Sequence, residues 1–311
     1  MKLFDGLASL PRPAEPATVA IGTFDGVHVG HQAIIRTAVT DAAARSARSL
    51  VFTFDRHPAD LLAPERAPDY LSTPSQRAAH IAALGVDGLV IARFDHDLAS
   101  LPPEAFLEEI VRDRLGATAI VVGDNFSFGR NRAGTVALLE ACQDRLGYRL
   151  TALPPVMVDG APASSTRIRE LLRAGEIEEA ERVLGHAYWL EGTVVPGRRL
   201  GRELGFPTAN LARAWRQVVP LDGIYAVRVR LDDGRELSGA CSIGDRPTVD
   251  GAGRSIETFL LDFDEDIYGS AMSLRFVRRL RSELKFESLD ALRRQMALDV
   301  VESRRILADL E

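Results

Sequence analysis

Apolar and polar positions change rhythm part-way along the chain. Before residue 185, short runs rich in β-branched and aromatic residues alternate with longer stretches of helical spacing; the runs are TVAIGTF (18–24), SLVFTF (49–54), DGLVIARF (87–94) and TAIVVGD (118–124). Nearly unbroken apolar runs are expected of strands covered on both faces, and the intervals after them have room for crossover helices. Helices are predicted over 30–46, 75–84, 103–115 and 134–146; Pro102 and Pro103 open the third, where a missing N–H costs the first turn little. This predicts a doubly wound parallel α/β sheet. The Pro-rich stretch from Asp55 to Pro74 predicts a long surface loop, and residues 164–185 predict two short helices.

Beyond Gly185 the runs become YWLEGTVV, GIYAVRVRL, RELSGACSIG, SIETFLLDF and MSLRFVRRL, separated by Gly- and Asp-rich turns. Asp232, Asp233 and Gly234 give a hairpin signal. This half predicts a small antiparallel barrel or sandwich. Leu289, Leu292, Met296, Val300, Leu307 and Leu310 recur at helical spacing behind a candidate Ser288 N-cap, so a closing amphipathic helix is expected on the β unit. The predicted domains are 1–185 and 186–311.

The length of 311 residues favours two cores over one, and 46% hydrophobic with 26% charged residues excludes a disordered or low-complexity chain. A formal charge of −6 supplies no cationic field to recommend nucleic acid or an anionic membrane as partner. Cys142 and Cys241 stand far apart with no metal-ligand companions, which fits a reducing cytoplasmic setting and argues against a disulfide scaffold or zinc site. Neither a signal segment nor a membrane-spanning run is evident.

The densest chemical signal is GTFDGVHVGH, from Gly22 to His31, where a buried strand ends and a helix begins. Such strand exits bind ligands in open α/β sheets, and the helix N-terminus offers free N–H groups to phosphate. Gly22, Asp25 and Gly30 belong to this candidate nucleotide-binding string. His28 and His31 could both donate hydrogen bonds to phosphoryl oxygens. The plainer reading, a tight Gly turn with capping histidines, is about equally good for an isolated H-x-G-H; a two-histidine metal site lacks a third ligand. The string is neither a P-loop nor a Rossmann fingerprint.

A second strand exit, GDNFSFG, offers Asn125 as donor and acceptor and aromatics able to stack on a flat ring, or is simply a well-packed turn. Ser165, Thr166 and Arg169 in SSTRIR put hydroxyls and a cationic fork at a helix start, suited to a triphosphate or to an ordinary cap with solvated arginines. His57, in FTFDRHP, is at least as well explained by shaping its loop. Together and in this order, GTFDGVHVGH, FTFDRHP, GDNFSFG and SSTRIR resemble the N-terminal module of the bacterial bifunctional riboflavin kinase/FAD synthetase family. The resemblance implies an HxGH nucleotidylyltransferase fold that transfers AMP from ATP to FMN, with His28, His31, Asn125, Ser165, Thr166 and Arg169 around ATP. Arg56 stands where the family usually has proline.

The second half carries GRRLGRELGFPTAN, Gly197 to Asn210. Gly197 and Gly201 could form a cover over phosphate, while Thr208 and Asn210 supply neutral oxygens that could join ATP around Mg²⁺. Structural Gly turns with a capping Asn explain PTAN alone about as well. Glu257, on a predicted strand, could accept a hydroxyl proton, although most strand glutamates face solvent. GRELGFPTAN, GIYAVRV, SIGDRPT, IETFLLDF and RLRSELKF resemble the riboflavin kinase module of the same family. That resemblance implies a six-stranded antiparallel barrel, MgATP near Thr208 and Asn210, Glu257 as base for the ribityl 5′-hydroxyl, and Arg281 with the C-terminal helix shaping the flavin pocket. Ser242 stands where the family commonly has Asn.

The expected chemistry is therefore riboflavin plus ATP to FMN, then FMN plus ATP to FAD and pyrophosphate, with Mg²⁺ at both ATP sites. The rivals are a nucleotidylyltransferase with a non-catalytic flavin-binding barrel and a non-catalytic flavin or nucleotide sensor.

Overall fold

Within each N-terminal run, successive side chains feed opposite faces of one sheet. Val19, Ile21, Leu50, Phe52, Ile120 and Val122 join one buried cluster, whereas Ala20, Val51, Leu89 and Val121 join the other. Both faces are covered, which is why these strands read as continuous apolar runs. The structure is a computed structural model that describes residues 1–12, 14–197, 201, 204–213, 215–246 and 253–308.

In chain order the first part runs β1 (Lys2–Asp5), β2 (Ala17–Ile21), α1 (Val29–Ala44), β3 (Arg48–Phe54), α2 (Pro58–Leu62), α3 (Pro74–Ala82), β4 (Gly88–Ala92), α4 (His96–Ser100), α5 (Pro103–Ala105), β5 (Ala117–Gly123), β6 (Ser127–Phe128), β7 (Gly134–Thr135), α6 (Val136–Leu146), β8 (Arg149–Leu153), β9 (Met157–Val158) and β10 (Ala161–Pro162). The main sheet has the order β1-β4-β3-β2-β5-β8 with all pairs parallel, as expected of a doubly wound fold.

Three details differ from the sequence expectations. The edge strands β1 and β8 are half-exposed and mixed in polarity, so they lack the apolar run that marks the inner strands. The helix expected over 103–115 is α only at its start and continues as π-helix over Phe106–Arg112. The stretch 55–74 is not one loop: His57 caps α2, and a 3₁₀ turn follows at Pro64–Arg66. Proline at the first helical position is compatible with such turns, which a Pro-rich composition conceals.

The second part runs α7 (Ser165–Ala174), α8 (Ile177–Leu184), β11 (Trp189–Val195), β12 (Thr208–Arg213), β13 (Gly223–Leu231), β14 (Glu236–Arg246), β15 (Gly253–Leu260), β16 (Ala271–Arg281) and α9 (Leu289–Ala308). The six strands form a closed antiparallel barrel in the order β11-β12-β15-β14-β13-β16. Closure removes the unpaired strand edges that an open sheet would expose. Tyr225, Val227, Cys241, Ile243, Leu274 and Phe276 are fully buried within it. The hairpin turn falls where Asp232–Gly234 predicts it, with Gly234 at φ 86°. Ser288 Oγ accepts from Ala291 N at 3.2 Å at the start of α9, and Ile306 and Leu307 bury against Ala226. Leu289, expected on the buried stripe, is exposed, and Leu310 lies outside the described residues.

Two compact units account for the chain: Met1–Pro68 with Pro74–Ser164, and Asp69–Thr73 with Ser165–Glu311. Helices α7 and α8 go with the barrel: Leu221 N donates to Leu172 O at 3.0 Å, and Arg275 pairs with Glu181 at 3.0 Å. Segment 69–73 joins the same unit through Tyr70, whose N–H and C=O bond to Arg216 and Val218, both at 2.8 Å, and through Thr73, which donates to Glu191 at 3.0 Å.

Candidate functional site

The first group of candidate residues lies in the first unit, at the carboxyl end of β2. Connections leave β2 on one side to β3 and on the other β5 is its neighbour, so the loops after β2 and β5 meet at the crevice where open parallel sheets bind ligands. His28 caps α1: its Nδ1 accepts from Gly30 N at 3.2 Å and His31 N at 3.4 Å. An accepting Nδ1 leaves the ring proton on Nε2, so His28 is a neutral donor. The His31 ring stacks on it with centroids 3.6 Å apart and planes at 22°. The two imidazoles that the sequence places three residues apart are thus brought together, and capping proves compatible with a chemical role.

The loop carrying them is strained. Phe24, Gly26 and Val27 take φ of 49°, 76° and 40°, and for Phe24 and Val27 such backbone costs about 1–3 kcal/mol each. Packing holds it. Phe24 is buried with its ring edge-on to His31 at 5.2 Å, and a Cβ on residue 22 would stand only 3.0 Å from the Phe24 ring, so Gly22 makes room for it. Gln32 donates to Val27 O at 3.0 Å. Asp25 is buried within the loop's 3₁₀ turn.

Asn125 is exposed in the turn after β5, its Oδ1 lying over Gly123. Of the neighbouring aromatics, Phe128 is buried against Phe106, whereas Phe126, stacked on Phe128 at 5.6 Å, is half-buried. His57 Nδ1 accepts from Ala59 N at 3.1 Å, which is the loop-shaping role. Arg56 pairs with Asp55 at 3.0 Å, while Asp55 accepts from Phe94 N at 2.8 Å. Ser165, Thr166 and Arg169 stand in the first turns of α7 in the second unit; Thr166 is exposed, and Arg169 is buried and donates to Asp69 O at 2.7 Å.

The second group is assembled by barrel register. Opposite residues run Val195, Asn210, Glu257, Ser242, Ile224, Arg281 across successive strands, one row crossing the whole barrel wall. Directly paired residues share a sheet face. Thr208, two residues from Asn210 and so on the same face, donates from Oγ1 to Glu257 Oε2 at 3.1 Å. A cavity of about 460 Å³ opens here, of the size range typical of small-molecule sites, and Thr208, Ser242, Glu257 and Arg281 line it. Leu292, Met296 and Val300 of α9 give it an apolar wall. Asn210 is buried beside Thr208, and a Cβ on Gly197 would stand 2.3 Å from its amide nitrogen, so only glycine allows that approach. Gly201 also lines the cavity; Arg198 to Leu200, Arg202 and Glu203 of the glycine-rich string, and Pro247 and Thr248 of SIGDRPT, lie outside the described residues.

Asp299 is a site residue that the sequence reading missed. It is buried on α9 and holds Arg281 in a two-pronged pair at 2.9 and 2.6 Å, with Gln295 donating to it at 3.0 Å. A carboxylate between Met296 and Val300 on an otherwise apolar stripe was the available signal, since a buried charge requires a partner. Cys241 also borders the cavity; burial pushes its thiol up to about 12. Folded protein at pH 8 is therefore expected to resist iodoacetamide at Cys241 about 10³-fold more than unfolded protein, measured by mass spectrometry of the peptide. Rapid labelling in the native state would contradict the burial.

Among the described residues, no group of three or more His, Cys, Asp or Glu side chains could hold a metal ion. The oxygens of Thr208 and Asn210 nevertheless suit Mg²⁺, which is commonly held by few protein oxygens together with substrate phosphates and water.

Family models match both parts of the chain: FAD synthetase over residues 10–167 and riboflavin kinase over 184–307. A bifunctional riboflavin kinase/FMN adenylyltransferase from Pseudomonas fluorescens is 39% identical over 310 residues, covering 99% of this chain and 98% of that protein. Proteins of the same name from Escherichia coli K12 and Bacillus subtilis are 36% and 33% identical, covering 98% and 94% of this chain and 97% and 93% of their own. A crystal structure of a protein called a macrolide-efflux protein, from Streptococcus pneumoniae, matches with TM-score 0.88 and 30% identity over 98% of this chain and 99% of that one. That likeness is one of fold. Among the described residues of this chain no helix is long and apolar enough to cross a membrane.

Proposed function

The chain belongs to the bifunctional riboflavin kinase/FMN adenylyltransferase family, and from that premise we propose which residues carry each of its two reactions. It phosphorylates riboflavin with ATP to give FMN, and it adenylylates FMN with a second ATP to give FAD and pyrophosphate. Residues 1–185 are assigned to adenylyl transfer and 186–311 to the kinase, a functional boundary that differs from the division of compact units at Ser164 and Ser165 because α7 and α8 pack with the barrel.

For the kinase, the carrying observation is Glu257 at the cavity wall, hydrogen-bonded to Thr208 and in register with Asn210 and Ser242. Its carboxylate takes the proton of the ribityl 5′-hydroxyl as that oxygen bonds to the γ-phosphorus and the bond to ADP breaks. Thr208 orients the carboxylate. Thr208 and Asn210 would hold Mg²⁺, which when bound offsets phosphate charge. Arg281, fixed by Asp299, and the apolar face of α9 form the flavin end of the cavity. Ser242 presents a hydroxyl to the same row as Glu257, so the departure from Asn leaves a polar group in place.

Adenylyl transfer needs no covalent enzyme intermediate. An FMN phosphate oxygen attacks the α-phosphorus in line and pyrophosphate leaves, so the protein's part is positioning and charge stabilisation. His28 donates from Nε2, and His31, stacked on it, stands at the N-terminus of α1, where free N–H groups favour anions. Gly22, Asp25 and Gly30 build this loop, and Asn125 stands at the adjoining strand exit. The resemblance assigns Ser165, Thr166 and Arg169 to ATP.

A time course with riboflavin and MgATP, with chromatography of all flavins, tests the whole. FMN should appear first and FAD after it; absence of FMN removes the kinase assignment, and FMN that never becomes FAD removes the other. Gly197→Ala has a more local outcome. The added methyl displaces the flexible Asn210 amide rather than backbone, so the kinase KM for ATP should rise about tenfold while melting temperature stays within a few degrees. An unchanged KM would separate Asn210 from the nucleotide.

A further inference from the structure

Behind the strained loop of the first unit lies a cation that neither reaction has used. Arg77, on α3, is buried; its Nη1 donates to Thr23 O at 3.1 Å and its Nη2 to Phe54 O at 2.6 Å. Thr23 O also accepts from Thr53 Oγ1 at 3.0 Å. Residues 23 and 54 stand at the carboxyl ends of adjacent parallel strands, just past the rung in which Gly22 N donates to Phe52 O at 3.1 Å. The guanidinium thus ties the two strand exits together where the β-ladder has stopped doing so.

Burying a guanidinium is costly, and an apolar side chain of similar volume would serve a merely structural position as well. What arginine adds is a rigid fork that fixes two acceptors relative to each other. One of those acceptors begins the segment in which Phe24, Gly26 and Val27 hold positive φ and which ends at His28. Backbone of that kind persists only where its surroundings over-determine it.

We propose that Arg77 is a positioning residue for adenylyl transfer: by clamping Thr23 to Phe54 it sets the path of the loop that places His28 and His31. The inference rests on the assignment of those histidines to adenylyl transfer, and the test separates the two.

Full-length Arg77→Ala, Arg77→Lys, Thr53→Val and His31→Ala are compared for conversion of FMN to FAD, with riboflavin phosphorylation measured on the same preparations. Arg77→Ala should lower adenylylation kcat about 30–100-fold, since small misplacements of catalytic groups carry costs of that order, with KM for FMN within about twofold and the kinase rate unchanged. Thr53→Val, which keeps the side-chain shape and removes one donor to Thr23, should lower kcat several-fold. Arg77→Lys keeps the charge but not the fork that spans both carbonyls, and should stay at least about tenfold below wild type in kcat. Should Arg77→Ala fail to fold, the other two carry the comparison. Adenylylation by Arg77→Ala and Thr53→Val within about twofold of wild type, beside an inactive His31→Ala, overturns the role of Arg77 alone. A loss spread equally over kcat, both KM values and the kinase rate marks a general structural role and also overturns it. Undiminished adenylylation by His31→Ala removes instead the assignment on which the inference rests.

Discussion

Replacing Glu257 by Gln is expected to cut FMN formation from riboflavin by about 10²–10⁴-fold while FMN supplied directly is still converted to FAD at the wild-type rate. Gln keeps the length of the side chain, and its amide oxygen can still accept from Thr208 Oγ1, so the 3.1 Å contact and the local packing survive. What it cannot do is take a proton. The loss should fall on kcat and leave the KM for riboflavin nearly untouched, because Arg281 and the α9 side chains proposed to hold the flavin are unaltered. Steady-state rates for both steps, with separated flavins, decide it. Retention of FMN formation within about threefold would remove Glu257 as the base, and loss of both reactions in a folded variant would end the model of two separate sites.

His31→Ala is expected to have the opposite signature. Removing a preorganised donor that acts on developing phosphoryl charge costs about 10²–10³ in rate, so FAD formation should fall by that factor while FMN accumulates from riboflavin at the normal rate. His31 is a cleaner probe than His28. The His28 Nδ1 is the acceptor for two N–H groups at the start of α1, and its loss would remove a cap worth about 1 kcal/mol as well as a donor. A His31→Ala protein that still makes FAD at the wild-type rate would return the pair to a capping role.

Much of this was legible in the chain. The inner strands announced themselves because both faces are buried, and α1 and α9 because their caps and apolar spacing are properties of near neighbours. The edge strands β1 and β8 did not, since half-exposed positions erase the periodic signal. The aromatics of GDNFSFG illustrate the same limit in reverse. Their chemistry suited ring stacking on a ligand, but whether an aromatic faces a ligand or the core depends on what lies beneath it, here Phe106 under Phe128. Asp299 was overlooked because a helix stripe is read by its apolar majority, and the cation that justifies the exception is on another element.

The two fold classes and the two sets of chemical groups were legible in the chain, because they depend on residues within a turn or two of one another; capping by His28 was one of two readings the same residues left open. Long-range packing, by contrast, puts Asn210, Glu257, Ser242 and Arg281 in one row, sets Asp299 against Arg281 and ties two strand exits through Arg77. Those pairings follow from strand register, barrel closure and helix docking, in which the whole buried surface of a unit chooses among arrangements that no local stretch of chain can tell apart.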